Sequence, residues 1–141
     1  MSTQPNHSSS AGPALTQVDH EHAHDHVVLD FEKLDCYQVA LQFNALAARL
    51  VPRGHRELRD QLTRAALSIS LNIAESAGRT SPADKARFFS IARGSAMECA
   101  AIIDVLASSG IAAIGLCREA RRLLIRMVQM LTKIEAAIRL R

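Results

Sequence analysis

Glu57, Gln61, Arg64, Ser68, Asn72, Glu75 and Arg79 recur every three or four residues. At about 100° per residue they gather on one side of a single helix. Leu62, Ala66, Ile69 and Ile73 fall on the other side, so one helix carries a polar stripe and a core face. Gly78 stands where that helix should stop. Ser81-Pro82-Ala83-Asp84 then supplies an N-cap, a first-turn proline and an acidic third position for the next helix. A stop and a start so close together leave only an antiparallel pair, because a link of a few residues cannot carry the chain back along the bundle.

The same signals divide the rest of the chain. Helices are predicted over about 31–50, 56–77, 82–108 and 116–140, with Val51-Pro52-Arg53-Gly54 and Gly110 as breaks. The third connection, Gly110 to Leu116, is apolar and offers no polar N-cap. Pro5 and Pro13 precede the helices, and Pro52 and Pro82 sit at helix boundaries, so no proline interrupts a periodic segment. Aromatics are only 4% of residues, with no Trp, while 48% are hydrophobic, mainly Leu, Ile and Ala. That mixture suits close-packed helices and not a sandwich or barrel. The expected fold is therefore all-α, an antiparallel up-down four-helix bundle over 29–141 preceded by a disordered tail over 1–28, which is Ser-, Gly-, Pro- and His-rich and without apolar periodicity.

Helices 2 and 3 carry more apolar surface than one bundle can hide. Leu67, Leu71 and Ala74 lie well over 90° from the core face of helix 2. On helix 3, Phe88, Phe89, Ala92, Ala96, Cys99, Ile102, Ile103 and Leu106 form one side, with Gly94, Ala101 and Val105 on another. Gly94 costs about 1 kcal/mol against Ala inside a helix, which a close approach by a neighbouring helix would offset. Leu67, Leu71, Ala74, Gly94 and Ala101 are thus the expected contact between copies of the chain.

The strings RAALSISLNIAESAGR and FFSIARGSAMEC, with FEKLDCYQVALQF ahead of them, resemble the 23S rRNA intervening-sequence proteins. The likeness runs from about Phe31 to Leu140. Two departures are Ser76, where many members have glycine, and the third connection, which lacks the family's usual polar N-cap. The resemblance implies an antiparallel four-helix bundle that assembles into a ring, commonly a homopentamer. It also implies kinship with the accessory proteins of diversity-generating retroelements, which partner a reverse transcriptase and bind nucleic acid. Within the family motif, Arg64, Ser68, Asn72, Glu75, Arg79 and Glu98 are expected to form a structural network locking helices or subunits, with Arg87 and Arg93 as further cross-helix partners. A ligand site at the same stripe is the alternative.

Charge separates the chain in two. Through Val28 the only charged residues are Asp19, Glu21 and Asp25, so the rest holds all 17 basic residues against 11 of the 14 acids, a net +6. Fourteen of the basic residues are Arg, whose planar fork pairs bidentately with phosphate; a GC-rich genome would write the same bias. Arg118, Arg121, Arg122, Arg126 and Lys133 fall within about 140° of one another on helix 4. Leu116, Ala120, Leu123, Met127, Leu131, Ile134 and Ile138 lie opposite. Such a stripe can track RNA or DNA phosphates without base preference, and Ile125 among the arginines allows part of it to flank a subunit contact. A merely solubilising face on an interaction scaffold is the competing reading.

Catalysis lacks an inventory. No Glu-x-x-His pair exists over 29–141 for a di-iron site in the bundle, and no cofactor is implied. Arg49 and His55 have a spacing similar to the arginine–histidine motif of HEPN ribonucleases. They flank a Pro-Gly turn, however, which is the wrong context for that site. The expectation is a non-enzymatic protein, with a ribonuclease as a minor alternative. His20, His22, His24 and His26 are weak candidates for Zn²⁺ or Ni²⁺ without a rigid frame. Cys36, Cys99 and Cys117 form no CxxC pair and read as small buried hydrophobes. No signal peptide and no apolar run of about 18 residues is visible, so the chain is expected in the cytoplasm, without a membrane partner.

Overall fold

The computed structural model describes residues 28–141. A 3₁₀ turn at Asp30–Lys33 leads into α1 (Asp35–Leu50), α2 (Arg56–Ala77), α3 (Pro82–Ser108) and α4 (Ile114–Arg139). Each helix packs against two others: α1 on α2, α2 on α3, α3 on α4, and α4 back on α1. Diagonal pairs do not meet. With links of four or five residues, this is an up-down four-helix bundle, and it contains no strand among the described residues. The expected tail, with its four candidate metal ligands, lies almost wholly outside the described residues.

Local chemistry sets the helix ends. Leu29 N–H donates to Glu32 Oε2 at 2.7 Å, which closes the first turn. Gly54 takes φ +101°, a region open to glycine, and reverses the chain between α1 and α2. Arg59 then donates to the carbonyl of Val51 at 3.1 Å and ties α2 to that turn. Ser81 Oγ accepts from Asp84 N–H at 3.4 Å, with Pro82 at the first helical position. Gly110 at φ +65° ends α3, and Ile111 N–H reaches back to Leu106 O at 3.0 Å.

Two boundaries differ from expectation. Helix 1, expected from about residue 31, begins at Asp35, because Asp30–Lys33 form a 3₁₀ turn and Leu34 is extended between the two. α4 begins at Ile114, not Leu116, and its N-cap, Ala113, has no side-chain hydrogen bond. Ile111 and Ala112 pack against the core, so the apolar connection is held down by burial and leads straight into the helix.

The core runs along the bundle through Phe43, Leu50, Leu62, Ile69, Ile73, Ile103, Leu106, Leu124, Met127 and Leu131, all essentially inaccessible. Each such side chain contributes roughly 1.5–3 kcal/mol through removal from water. Small residues on α3, namely Ala92, Ala96 and Cys99, let its neighbours come close. Of the face expected on helix 4, Ala120, Met127 and Leu131 are buried, but its centre is rotated toward α3. Leu124 and Cys117 are buried, whereas Leu116, Leu123 and Ile134 only flank the core. Asn44 on α1 donates to the buried Ser70 on α2 at 2.7 Å, a polar clasp that periodicity does not disclose.

All three cysteines are free and buried. Burial pushes the Cys36 thiol up to about 11 and the Cys99 thiol to about 12, and it raises that of Cys117. Since the thiolate is the nucleophile, an alkylating reagent at about pH 8 should modify none of them in the native protein and all of them in denaturant. Mass spectrometry of the quenched reaction reads the result directly. Rapid native labelling of any one thiol would contradict its burial.

Candidate functional site

The polar stripe of α2 divides when folded. Ser68 and Asn72 turn into the seam with α3, where Asn72 Nδ2 donates to Ser68 O at 2.8 Å and to Ser68 Oγ at 3.1 Å. Ser68 Oγ and Ser95 Oγ lie 2.9 Å apart, so a short hydrogen-bond chain crosses from one helix to the other. Its outer members are exposed. Glu75 pairs with Arg79 one turn along the same helix, not with Arg87 or Arg93 of α3. Arg79 and Arg87 instead lie over the Phe88 ring, at 4.8 and 5.5 Å from its centroid. Arg64 and Glu98 line a shared open groove of about 500 Å³ with Gln61, Ala65 and Ser68, but make no ion pair. The expected network is therefore a two-helix hydrogen-bond seam plus separate surface pairs.

Arg93 has a different partner altogether. Its Nη2 lies 3.1 Å from Oε2 of Glu135 on α4, while Arg139 donates to Oε1 through Nε at 3.2 Å and Nη2 at 2.9 Å. Glu135 is only 7% exposed, and its Oε2 accepts no hydrogen bond, so Arg93 answers it by charge alone. A buried carboxylate between two arginines is a structural device of the α3–α4 pair that the sequence reading missed. A signal was present: Cys117, Leu124, Leu131 and Glu135 follow one another at helical spacing along the buried stripe.

The basic residues of α4 separate into two kinds. Arg121 Nη1 meets Asp104 of α3 at 2.6 Å, which neutralises one member of the expected five. That pair is half-exposed and contributes about 1 kcal/mol or less. Arg118, Arg122, Arg126 and Lys133 are exposed and make no ion pair among the described residues. Arg118 to Arg126 spans about 12 Å of helix, and Lys133 lies about 10 Å farther along. Ile125, 50% exposed, stands among them and shares a shallow depression of about 290 Å³ with Arg118, Arg121 and Arg122.

The apolar residues expected at one subunit contact occupy two surfaces. Leu67 and Leu71 are exposed on α2 and Ala74 is half-buried beside them, on the flank turned away from the α3 seam. Gly94, Ala101 and Val105 are exposed on the outer face of α3. The polar groove at Gln61, Arg64 and Glu98 runs between the two. A Cβ built on Gly94 would meet no atom within 4 Å. The close helix approach expected there is consequently not made within one chain.

Residues 32–133 match the 23S rRNA-intervening sequence proteins. The chain belongs to that family. In this 23S rRNA-intervening sequence protein the matched span takes in the whole α2–α3 seam and α4 as far as Lys133, the last of the exposed cations. The Glu135–Arg139 pair lies just beyond it. Among curated proteins, none matches the chain. No helix among the described residues is long and apolar enough to cross a membrane. No three His, Cys, Asp or Glu side chains among the described residues gather as a metal site. Arg49 and His55 are both exposed at the α1–α2 turn, with His55 as the N-cap residue of α2.

Proposed function

We propose that this protein is a non-enzymatic, self-associating bundle that holds nucleic acid, or an enzyme working on nucleic acid such as a reverse transcriptase, against α4. The observation that carries the reading is the row Arg118, Arg122, Arg126 and Lys133, exposed and without carboxylate partners among the described residues. Arginines without a carboxylate partner have no ion pair to break when they meet phosphate, and each neutralised phosphate releases counterions. With no aromatic residue on α4 to stack on bases, the contact is electrostatic and tolerant of sequence. Membership of the 23S rRNA-intervening sequence family favours an RNA context. A ring of copies, the homopentamer that the family resemblance implies, would repeat the row around one surface and strengthen it by multivalency.

A salt titration tests this. Binding to single- and double-stranded RNA and DNA should fall steeply with salt. Replacing Arg118, Arg122 and Arg126 together by Gln should lower the log–log slope on duplex by about 2.7. Equal slopes for parent and variant would remove α4 from the site. No binding at low salt by the parent would leave the scaffold reading, which the exposed Met97 and Ile125 favour.

A further inference from the structure

Arg121 differs from the other cations of α4. Asp104 of α3 holds it at 2.6 Å, so its charge is answered and its guanidinium is kept in place. It stands at the rim of an apolar groove of about 230 Å³ between α3 and α4, lined by Met97, Ala100, Leu124, Ile125 and Val128, with Gln129 also at the rim. Met97 is 58% and Ile125 50% exposed, too open for side chains that belong to the core. Gly94 and Ala101 lie beyond Met97, on the side of α3 away from α4.

The groove is apolar, but its surroundings are not. Helical spacing puts Ile125 about 60° around α4 from Arg122, about 6 Å of arc at the helix surface and about 4.5 Å along the axis. A ligand filling the groove therefore brings its next group to Arg122 and Arg118, which are exposed and without carboxylate partners among the described residues. That ligand must join a compact apolar body to an anion within a short span. A second copy of this chain, itself strongly basic, brings no excess of acid to those cations. A nucleotide meets both demands, because its base has two apolar faces and its phosphate follows one sugar away.

In a duplex the bases are stacked and paired out of the groove's reach, and extruding one costs a few kcal/mol. A single strand presents bases that can be splayed out, and arginine planes are among the surfaces on which they stack. We infer that the α3–α4 groove seats one unpaired base of single-stranded nucleic acid, while Arg118, Arg122 and Arg126 hold the flanking phosphates. Arg121, fixed by Asp104, closes one end of the seat. Gln129, about two turns farther along α4, offers the base edge both a donor and an acceptor at the other end. Met97, Ile125 and Val128 supply dispersion contacts, and the thioether of Met97 is polarizable enough to pack on any aromatic ring. With one adaptable amide as its hydrogen-bonding group beyond Arg121, the seat selects an unpaired strand and not a particular base. The inference rests on the nucleic-acid reading of the basic row and adds to it a preference for single strands.

Three probes of equal length test it: a mixed-sequence single-stranded RNA, a strand with the same phosphates but abasic throughout, and the matching duplex. At one salt concentration the full-length protein should hold the single strand about tenfold more tightly than the abasic strand, since seating one base contributes about that factor. Met97→Gln combined with Ile125→Asn leaves every charge in place and replaces only exposed side chains. It should lower single-strand affinity to the abasic level, with duplex affinity and the log–log salt slope unchanged. The ε-methyl resonance of Met97 should shift with the single strand and stay in place with the abasic one. Equal affinity of the parent for strands with and without bases, or a double variant that binds like the parent, would overturn the inference while the nucleic-acid reading stands. A double variant of lower mass than the parent by light scattering would overturn it too, assigning the groove to a neighbouring copy. No binding of any probe at low salt would remove the nucleic-acid reading, and this inference with it.

Discussion

Arg93→Met should destabilise the bundle by about 3 kcal/mol, whereas Arg93→Met combined with Glu135→Met should restore most of that loss. Glu135 is buried on the α4 face that packs on α3, and its two oxygens are answered from different elements. Arg139 covers Oε1 from the same helix. Arg93 alone places a charge near Oε2, which accepts no hydrogen bond. Removing Arg93 therefore leaves the buried carboxylate with Arg139 alone, on its other oxygen, as counter-charge, and breaking one side of a buried ion pair costs about 3 kcal/mol. Methionine keeps most of the arginine stem's volume, so lost packing contributes little. In the double variant no charge remains to be solvated, and two flexible apolar side chains fill the space. Urea unfolding followed by circular dichroism measures both. A single variant within about 0.5 kcal/mol of the parent would mean that solvent, not Arg93, balances Glu135.

That ion pair also marks the limit of what the sequence discloses. Helix signals are local, and they were legible: the Ser81-Pro82-Asp84 start, the Gly110 stop and the Leu62/Ile69/Ile73 face all depend on residues within one or two turns. Pairings between helices depend on rotation and height, which periodicity leaves free. Arg93 could reach Glu75 or Glu135 by spacing alone, and only the packing of α3 against α4 decides for Glu135. Arg121 likewise belongs to the basic row by its angle on α4, yet Asp104 of α3 claims it. The early start of α4 has the same origin: a missing N-cap suggested a later helix, but burial of Ile111 and Ala112 fixes the turn without one. At the candidate site the basic stripe on α4 was readable, but not which of its five cations are left without a partner. The separation of the apolar residues into two patches was not readable either, because it depends on which flank of α2 faces α3.

Those two patches give the largest change expected of any substitution. Leu71→Arg and Gly94→Arg should each reduce the assembly to the 15.4 kDa chain, and an equimolar mixture of the two should form dimers and nothing larger. Leu71 is 58% exposed and a side chain on Gly94 enters open space, so neither arginine disturbs the single bundle. Each would place a charge in a surface that association must dry, a desolvation cost of several kcal/mol per contact. The mixture discriminates because the α2 and α3 patches are different surfaces. When one copy's α2 patch meets the next copy's α3 patch, repetition closes a ring if the rotation permits. The Leu71→Arg chain keeps a working α3 patch and the Gly94→Arg chain a working α2 patch. One contact can therefore form between them, and each partner's remaining patch is blocked. Light scattering of parent, single variants and mixture reads the outcome. A parent that is itself monomeric, or a mixture that stays at the single-chain mass, would rule out head-to-tail association through these faces.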